Sequence, residues 1–187
     1  CEGVAVSDKP YGPFKDATYF KAKGIDPTIL IDDDGEAYYF WGQFSLNGAK
    51  LTPDLRSIDE STICTDLLTE AEHGFHEGSS ICKYNGLYYM LFADTSRGKA
   101  TCLSYAVSKN PLGPYEKRGV VIDNDGCDPK TWNNHGSLCE YKGQWYVFYH
   151  RSSQNVEFNR RACVEPIFFD VNGDIAEVEM TTQGPEK

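Results

Sequence analysis

Three polar residues interrupt segments that otherwise have the composition of buried β-strands. Asp26, Glu77 and His135 stand where apolar residues would normally open a first strand. They precede the paired aromatic residues of their own segments by 12, 11 and 10 residues, counted to Tyr38, Tyr88 and Trp145. Because this spacing recurs, we expect two carboxylates and an imidazole to occupy equivalent positions in a repeated structure and to face one another.

This combination of residue types can transfer a proton. Two carboxylates that share a partly desolvated site do not both ionise easily, so the pKa of one of them rises. A carboxyl group with a raised pKa can serve as a general acid, and glycoside hydrolysis uses such an acid beside a second carboxylate. Taken singly, Asp26 could be a turn residue, Glu77 a solvated turn residue and His135 a satisfied core histidine. The shared register favours a common site.

The polar residues belong to an internal repeat. Turn residues followed by paired aromatics occur at 32–42, 83–93 and 140–150. A second motif, Ala-Val-Ser followed by Pro and Gly-Pro, occurs at 5–14 and again 101 residues later. The dipeptides Asp34-Gly35, Asn85-Gly86 and Lys142-Gly143 predict hairpin turns between short strands.

Repeats of about 50 residues with several strands each are typical of β-propeller blades. A β-sandwich is the alternative all-β architecture, but it would not predict this spacing. We therefore predict one partial β-propeller domain over residues 1–187, with a half blade at 1–20 and blades starting near residues 25, 76 and 134.

The bulk composition narrows the class of ligand. The chain of 187 residues has a formal net charge of −10, which argues against a nucleic-acid partner and against an anionic membrane surface. Aromatic residues make up 13% of the chain, a share that suits strands and sugar-stacking surfaces. Most of the seven cysteines are predicted to be small buried side chains, and their odd number leans towards a reducing cytoplasm without fixing the compartment.

Three segments carry a resemblance to a known family. IDPTILIDDDGEAYYFWG, HEGSSICKYNGLYYMLFA and NHGSLCEYKGQWYVFYHR resemble glycoside hydrolase family 43, as does the tail NRRACVEPIFFDVNGDIAEVEMTTQG. The resemblance implies a five-bladed β-propeller, of which about three and a half blades are present. It also implies an inverting glycosidase that removes arabinofuranosyl or xylosyl units, with an oligosaccharide or polysaccharide such as arabinoxylan as its partner.

The resemblance also implies roles for individual residues. Glu77 matches the general acid, and Asp26 matches the carboxylate that raises the pKa of that acid and orients it. His135 matches an axial histidine beneath the sugar that helps to hold a calcium or other ion, although the reaction requires no cofactor. Arg160 resembles an arginine that reaches the sugar, with Arg161 as its rival because alternation along a strand directs only one of the two inward.

The general base of the family is missing from this chain. It is an aspartate on the first blade, and its place lies upstream of residue 1. Asp128-Pro129 imitates the motif in the wrong blade register, so we do not assign the base to it. We expect a chain truncated at its amino terminus, with a catalytically inactive glycan-binding propeller as the alternative and a non-hydrolytic scaffold as a third reading.

Aromatic and charged residues near the predicted site add further candidates. Trp41, Phe75 and Trp132 could stack against sugar rings or pack between blades. The acidic run 32–34 is predicted to be a solvated hairpin tip, because it lacks the spacing of an EF-hand calcium loop. His150 could face either the site or solvent.

Overall fold

The computed structural model describes residues 2–127 and 130–185. Thirteen strands lie in these ranges, so the all-β prediction is confirmed. The strands are β1 Gly3–Val6, β2 Lys15–Tyr19, β3 Thr28–Ile31, β4 Ala37–Trp41, β5 Ser45–Lys50, β6 Cys64–Thr69, β7 Phe75–Tyr84, β8 Leu87–Asp94, β9 Cys102–Ser108, β10 Glu116–Asp123, β11 Ser137–Tyr141, β12 Gln144–Ser153 and β13 Val156–Ile167. A 3-10 turn at Glu60–Thr62 and helix α1 at Glu70–His73 complete the described elements, and no described helix has the length and apolarity to span a membrane.

The strands form four antiparallel meanders that follow one another along the chain. Their orders are β1-β2, β3-β4-β5-β6, β7-β8-β9-β10 and β11-β12-β13. Four separate sheets do not fit a two-sheet sandwich. Strand β7 contacts both β3 and β11, so the first strands of three successive sheets lie side by side. The number of blades and the closure of a ring stay predictions.

The predicted hairpin turns are present at all three positions. Asn85-Gly86 and Lys142-Gly143 each form a two-residue turn in which both residues have positive φ, at 47° and 76° and at 53° and 83°. The mirror-image turns that suit twisted hairpins require this backbone conformation. The first hairpin has a longer loop at residues 32–36, in which Gly35 has a φ of 85°.

The core lies between neighbouring sheets, which explains why the central strands are apolar on both faces. In β8, Tyr88, Met90 and Phe92 pack towards the β3–β6 sheet, while Tyr89 and Leu91 pack towards the β11–β13 sheet. A strand buried on both faces has a continuous apolar sequence instead of an alternating one. The run LYYMLFA at 87–93 is such a sequence.

The acidic run 32–34 differs from the solvated hairpin tip that we predicted. The carboxylate of Asp32 is almost fully covered and accepts a hydrogen bond of 2.6 Å from Lys83 Nζ and another from the Tyr88 hydroxyl. These contacts join the first hairpin of one sheet to β7 and β8 of the next. Burial opposes ionisation of Asp32, but the bonds from Lys83 and Tyr88 outweigh it and hold the pKa of Asp32 below its usual value. Only Asp33 and Asp34 fit the solvated description.

Candidate active site

The three polar residues predicted from their register meet at one end of the sheets. His135 Nε2 lies 3.1 Å from Glu77 Oε1 and 3.9 Å from Asp26 Oδ2. Asp26 Oδ2 also accepts a hydrogen bond of 3.2 Å from the backbone N–H of Gly78. One ligand-type atom from each of the three side chains lies within 4.8 Å of the other two. The expected convergence of two carboxylates and an imidazole is therefore present.

Local backbone geometry brings these side chains together. Asp26 has a φ of 54°, in the left-handed region that aspartate tolerates better than most residues. Gly78 has a φ of 68°, and a Cβ at that position would lie 3.0 Å from three atoms of the His135 ring. Glycine is thus required twice at residue 78, for the backbone conformation and for the close approach of the imidazole.

Glu77 is buried, and three donors surround its carboxylate. Asn133 Nδ2 donates to Oε1 at 2.8 Å, Gln43 Nε2 donates to Oε2 at 2.9 Å, and His135 Nε2 lies 3.1 Å from Oε1. Because Nε2 of His135 faces carboxylate oxygens of both Glu77 and Asp26, we assign the proton of the imidazole to that nitrogen.

The pKa of Glu77 contradicts the expectation of a raised value. The hydrogen bond from His135 is the largest influence, and with those from Asn133 and Gln43 it outweighs burial and lowers the pKa of Glu77 to about 2. The prediction counted the neighbouring carboxylate and missed the donors, which favour the charged form. In the free site Glu77 is therefore an ionised carboxylate.

Asn133 connects Glu77 to the arginine predicted to reach the sugar. Arg160 Nη2 donates to Asn133 Oδ1 at 3.0 Å, so the amide group of Asn133 must face Glu77. The main-chain carbonyl of Asn133 accepts bonds of 2.9 Å from Asn124 Nδ2 and 3.0 Å from Thr131 Oγ1. Asn133 is consequently fixed at both ends.

The same contacts separate the two candidate arginines. Arg160 lies on the Glu77 side of β13, whereas Arg161 lines a different cleft at the carboxyl-terminal segment. Sequence reasoning missed Asn133 and Gln43 altogether. For Asn133 a signal was available, because residues 133 and 135 are two apart in an extended segment and so face the same side.

His150 lies beside the cluster and is 8% exposed. Its ring centroid is 6.3 Å from that of His135, and neither of its ring nitrogens has a hydrogen-bond partner among residues 2–127 and 130–185. Burial, followed by the nearby charges of Arg160 and His135, lowers the pKa of His150 to about 4. His150 therefore faces the site side of the sheet, as a neutral imidazole.

Two of the three proposed stacking residues are corrected by their burial. Phe75 has no exposed surface and packs against Phe92 within the core, at a ring distance of 5.5 Å. Trp41 is 5% exposed and packs against Tyr39. Neither ring can receive a sugar, so packing between sheets is their role. Trp132 is 60% exposed and remains available for stacking.

The donor set at the site fits calcium poorly. Calcium takes six to eight oxygen ligands, whereas Asp26, Glu77 and His135 offer two carboxylates and one imidazole. The oxygens of Glu77 already accept bonds from Asn133 and Gln43, and Nε2 of His135 is used as a donor. The chemistry proposed below therefore uses no metal. Asp128-Pro129, to which the base was not assigned, lies outside the described residues.

Known proteins share this sequence and fold. The chain is 31% identical over 216 aligned positions to a β-xylosidase of Xylanibacter ruminicola, covering 95% of this chain and 66% of that protein. It is 30% identical to a xylosidase/arabinosidase of Bacteroides ovatus, covering 95% of this chain and 65% of that protein. The chain thus spans slightly less than two thirds of the length of these relatives.

A solved structure and a family profile agree with these relatives. A family 43 β-xylosidase/α-arabinofuranosidase from a compost microbial metagenome, solved with xylotriose in a calcium-free form, superposes with a TM-score of 0.80 at 27% identity. The match covers 95% of this chain and 65% of that one. The profile of glycosyl hydrolases family 43 matches residues 1–175. With this profile over nearly its whole length, the chain belongs to glycosyl hydrolase family 43.

Proposed function

We propose that the chain carries the acid half of an inverting glycosidase that removes xylosyl or arabinofuranosyl units from xylan-type glycans. The observation that carries the proposal is the Glu77 carboxylate, buried 3.1 Å from His135 and joined through Asn133 to Arg160. This arrangement places a proton-transfer group beside a guanidinium that can bind sugar hydroxyls. The names of the relatives and of the solved neighbour supply the class of sugar.

In the proposed mechanism Glu77 protonates the glycosidic oxygen as the bond to the leaving group breaks. A water molecule, activated by a carboxylate base, attacks the anomeric carbon from the opposite face, which requires about 6.5–9.5 Å between acid and base. Glu77 must then gain a proton that it lacks in the free site. Substrate binding expels water and so favours the neutral acid, and the negative charge of Asp26 acts in the same direction.

A glycan-binding propeller without hydrolysis is the second candidate. One observation favours it: Glu77 is held as an anion by three donors, which suits a binding site better than a proton donor. The two candidates differ in a direct measurement. A binding module would retain xylo-oligosaccharides and release no product.

The test is hydrolysis of an aryl xyloside, an aryl arabinofuranoside and xylobiose by this chain and by a version extended at its amino terminus. We expect Glu77→Gln to lower the rate most for xylobiose, because its poor leaving group needs the proton most. Equal losses on the aryl glycoside and on xylobiose would contradict the acid role. Saccharide binding by both versions, with hydrolysis by neither, would replace the glycosidase with the binding module.

A further inference from the structure

An open cleft of about 470 Å³ lies next to the catalytic cluster and is not used by the chemistry proposed above. One wall contains His76 and Lys99, and the other contains Thr131, Trp132 and Glu157. The volume is within the range of ligand pockets, about 300–1,000 Å³. We call this the outer cleft.

Chain connectivity places the outer cleft against Glu77. His76 is the residue before Glu77, and Trp132 is the residue before Asn133. Asn133 Nδ2 is itself only 2.8 Å from Glu77 Oε1. Both walls of the cleft therefore begin one residue, about 3.8 Å of chain, from two side chains that are in contact. A chain that leaves the acid site has the outer cleft as its next surface.

Exposed aromatic rings mark the same place. Trp132 is 60% exposed and Phe158 is 65% exposed, and their ring centroids are 6.2 Å apart with planes tilted by 46°. Across the cleft, the exposed ring of Phe44 contacts the edge of His76 at 5.1 Å. Clustered exposed rings are unfavourable in water and commonly mark a binding surface.

The polar groups of the outer cleft favour a neutral ligand. Lys99 and Glu157 carry opposite charges, and Lys99 is already paired with Asp125 at 3.4 Å. The imidazole of His76 bonds Glu70 at 2.7 Å and is therefore held in position. Rings for the C–H faces of a sugar, with hydroxyl, ammonium and carboxylate groups beside them, match a hydroxyl-rich chain and do not match a phosphate-rich one.

We propose that the outer cleft binds the leaving-group side of a polymeric glycan, with Trp132 and Phe158 stacking on successive pentose units. This inference rests on the proposed function and specifies its substrate as a chain of several sugars beyond the bond that is cleaved. Each ring should strengthen the binding of a longer chain by about two- to tenfold. A single terminal sugar on an aryl group would not reach them.

The experiment measures binding and hydrolysis separately. Dissociation constants of the Glu77→Gln chain are measured by calorimetry for xylobiose through xylopentaose, alone and combined with Trp132→Ala or Phe158→Ala. The control is Phe168→Ala, an equally exposed ring that does not line the cleft. We expect affinity to rise with chain length, and each cleft variant to lose about two- to tenfold for xylotetraose and little for xylobiose.

Several results would overturn the proposal. One is affinity independent of chain length in the parent chain, and another is an equal loss for short and long ligands in the cleft variants. A loss of the same size in Phe168→Ala would also refute it. Length-dependent binding without hydrolysis would retain the outer cleft and reject the glycosidase. Hydrolysis with unaltered chain-length preference in Trp132→Ala would do the reverse.

Discussion

Removing the amide of Asn133 should restore part of the acidity that the free site suppresses. Asn133 Nδ2 donates to Glu77 Oε1 at 2.8 Å, and a hydrogen bond to a charged group contributes about 1.5–3 kcal/mol. One pKa unit corresponds to about 1.4 kcal/mol. In Asn133→Ala the pKa of Glu77 should therefore rise from about 2 to between about 3 and 4, with the lower figure expected if water replaces the amide.

The assay is a carbon-13 NMR titration of the Glu77 carboxyl group, assigned by the loss of its signal in Glu77→Gln. We expect the parent carboxylate to stay ionised down to the lowest pH at which the fold persists, and the Asn133→Ala carboxylate to titrate above that point. Asn134→Ala is the matched control, since Asn134 is a buried neighbour whose amide donates to the Thr101 carbonyl at 2.9 Å and not to Glu77. An unchanged titration in Asn133→Ala, or the same change in the control, would refute the reasoning.

Two further predictions concern the backbone of the site and a contact between sheets. Gly78→Ala should lower the thermal unfolding temperature and saccharide affinity together, because the added Cβ meets the His135 ring at 3.0 Å and the φ of 68° disfavours alanine; unaltered affinity would show that His135 can move aside. Asp32→Asn should lower the free energy of unfolding in urea by about 1 kcal/mol at pH 7. Since folding lowers the pKa of Asp32, its stabilising contribution is complete above the pKa of the unfolded chain and is lost as the pH falls through the folded value. The difference between variant and parent should therefore shrink on acidification, and a constant difference from pH 7 to pH 3 would contradict the role of the ion pair.

The convergence of the site could be predicted because it depends on register. Asp26, Glu77 and His135 stand at equivalent points of a repeat, and β3, β7 and β11 lie side by side in the structure. Nothing beyond the spacing of aromatic residues was needed for this inference. The hairpin turns were predictable for a similar reason, since positive φ at Gly86 and Gly143 is a local requirement.

The burial of individual rings could not be predicted in the same way. A sheet covered on both faces loses the alternation that assigns side chains to an inner or an outer surface. Phe75 and His76 are neighbours with equally plausible positions at the mouth of the site, yet Phe75 is wholly buried and His76 lines the outer cleft. Distinguishing them requires the irregular register between β7 and β8, which the sequence does not display.

The pKa of Glu77 was predicted wrongly because it depends on residues distant in the chain. Its donors Gln43 and Asn133 are 34 and 56 residues away in sequence, and no repeat spacing links them to the carboxylate. The neighbouring carboxylate, in contrast, was visible from register. Sequence reasoning thus captured the repulsive part of the electrostatics and missed the hydrogen bonds that outweigh it.

The three donors around Glu77 differ in how easily a substrate could displace them, and this identifies the reactive oxygen under the proposed function. Asn133 is held by Arg160 on one side and faces Oε1 on the other, while His135 packs against Gly78 and also faces Oε1. Gln43 is exposed, follows β4 in a connecting segment and is the donor to Oε2. A sugar entering from solvent therefore displaces Gln43 first and leaves Oε2 without a donor in a water-poor site. Oε2 is then the oxygen that takes up the proton and faces the glycosidic bond, whereas Oε1 keeps the carboxyl group in place.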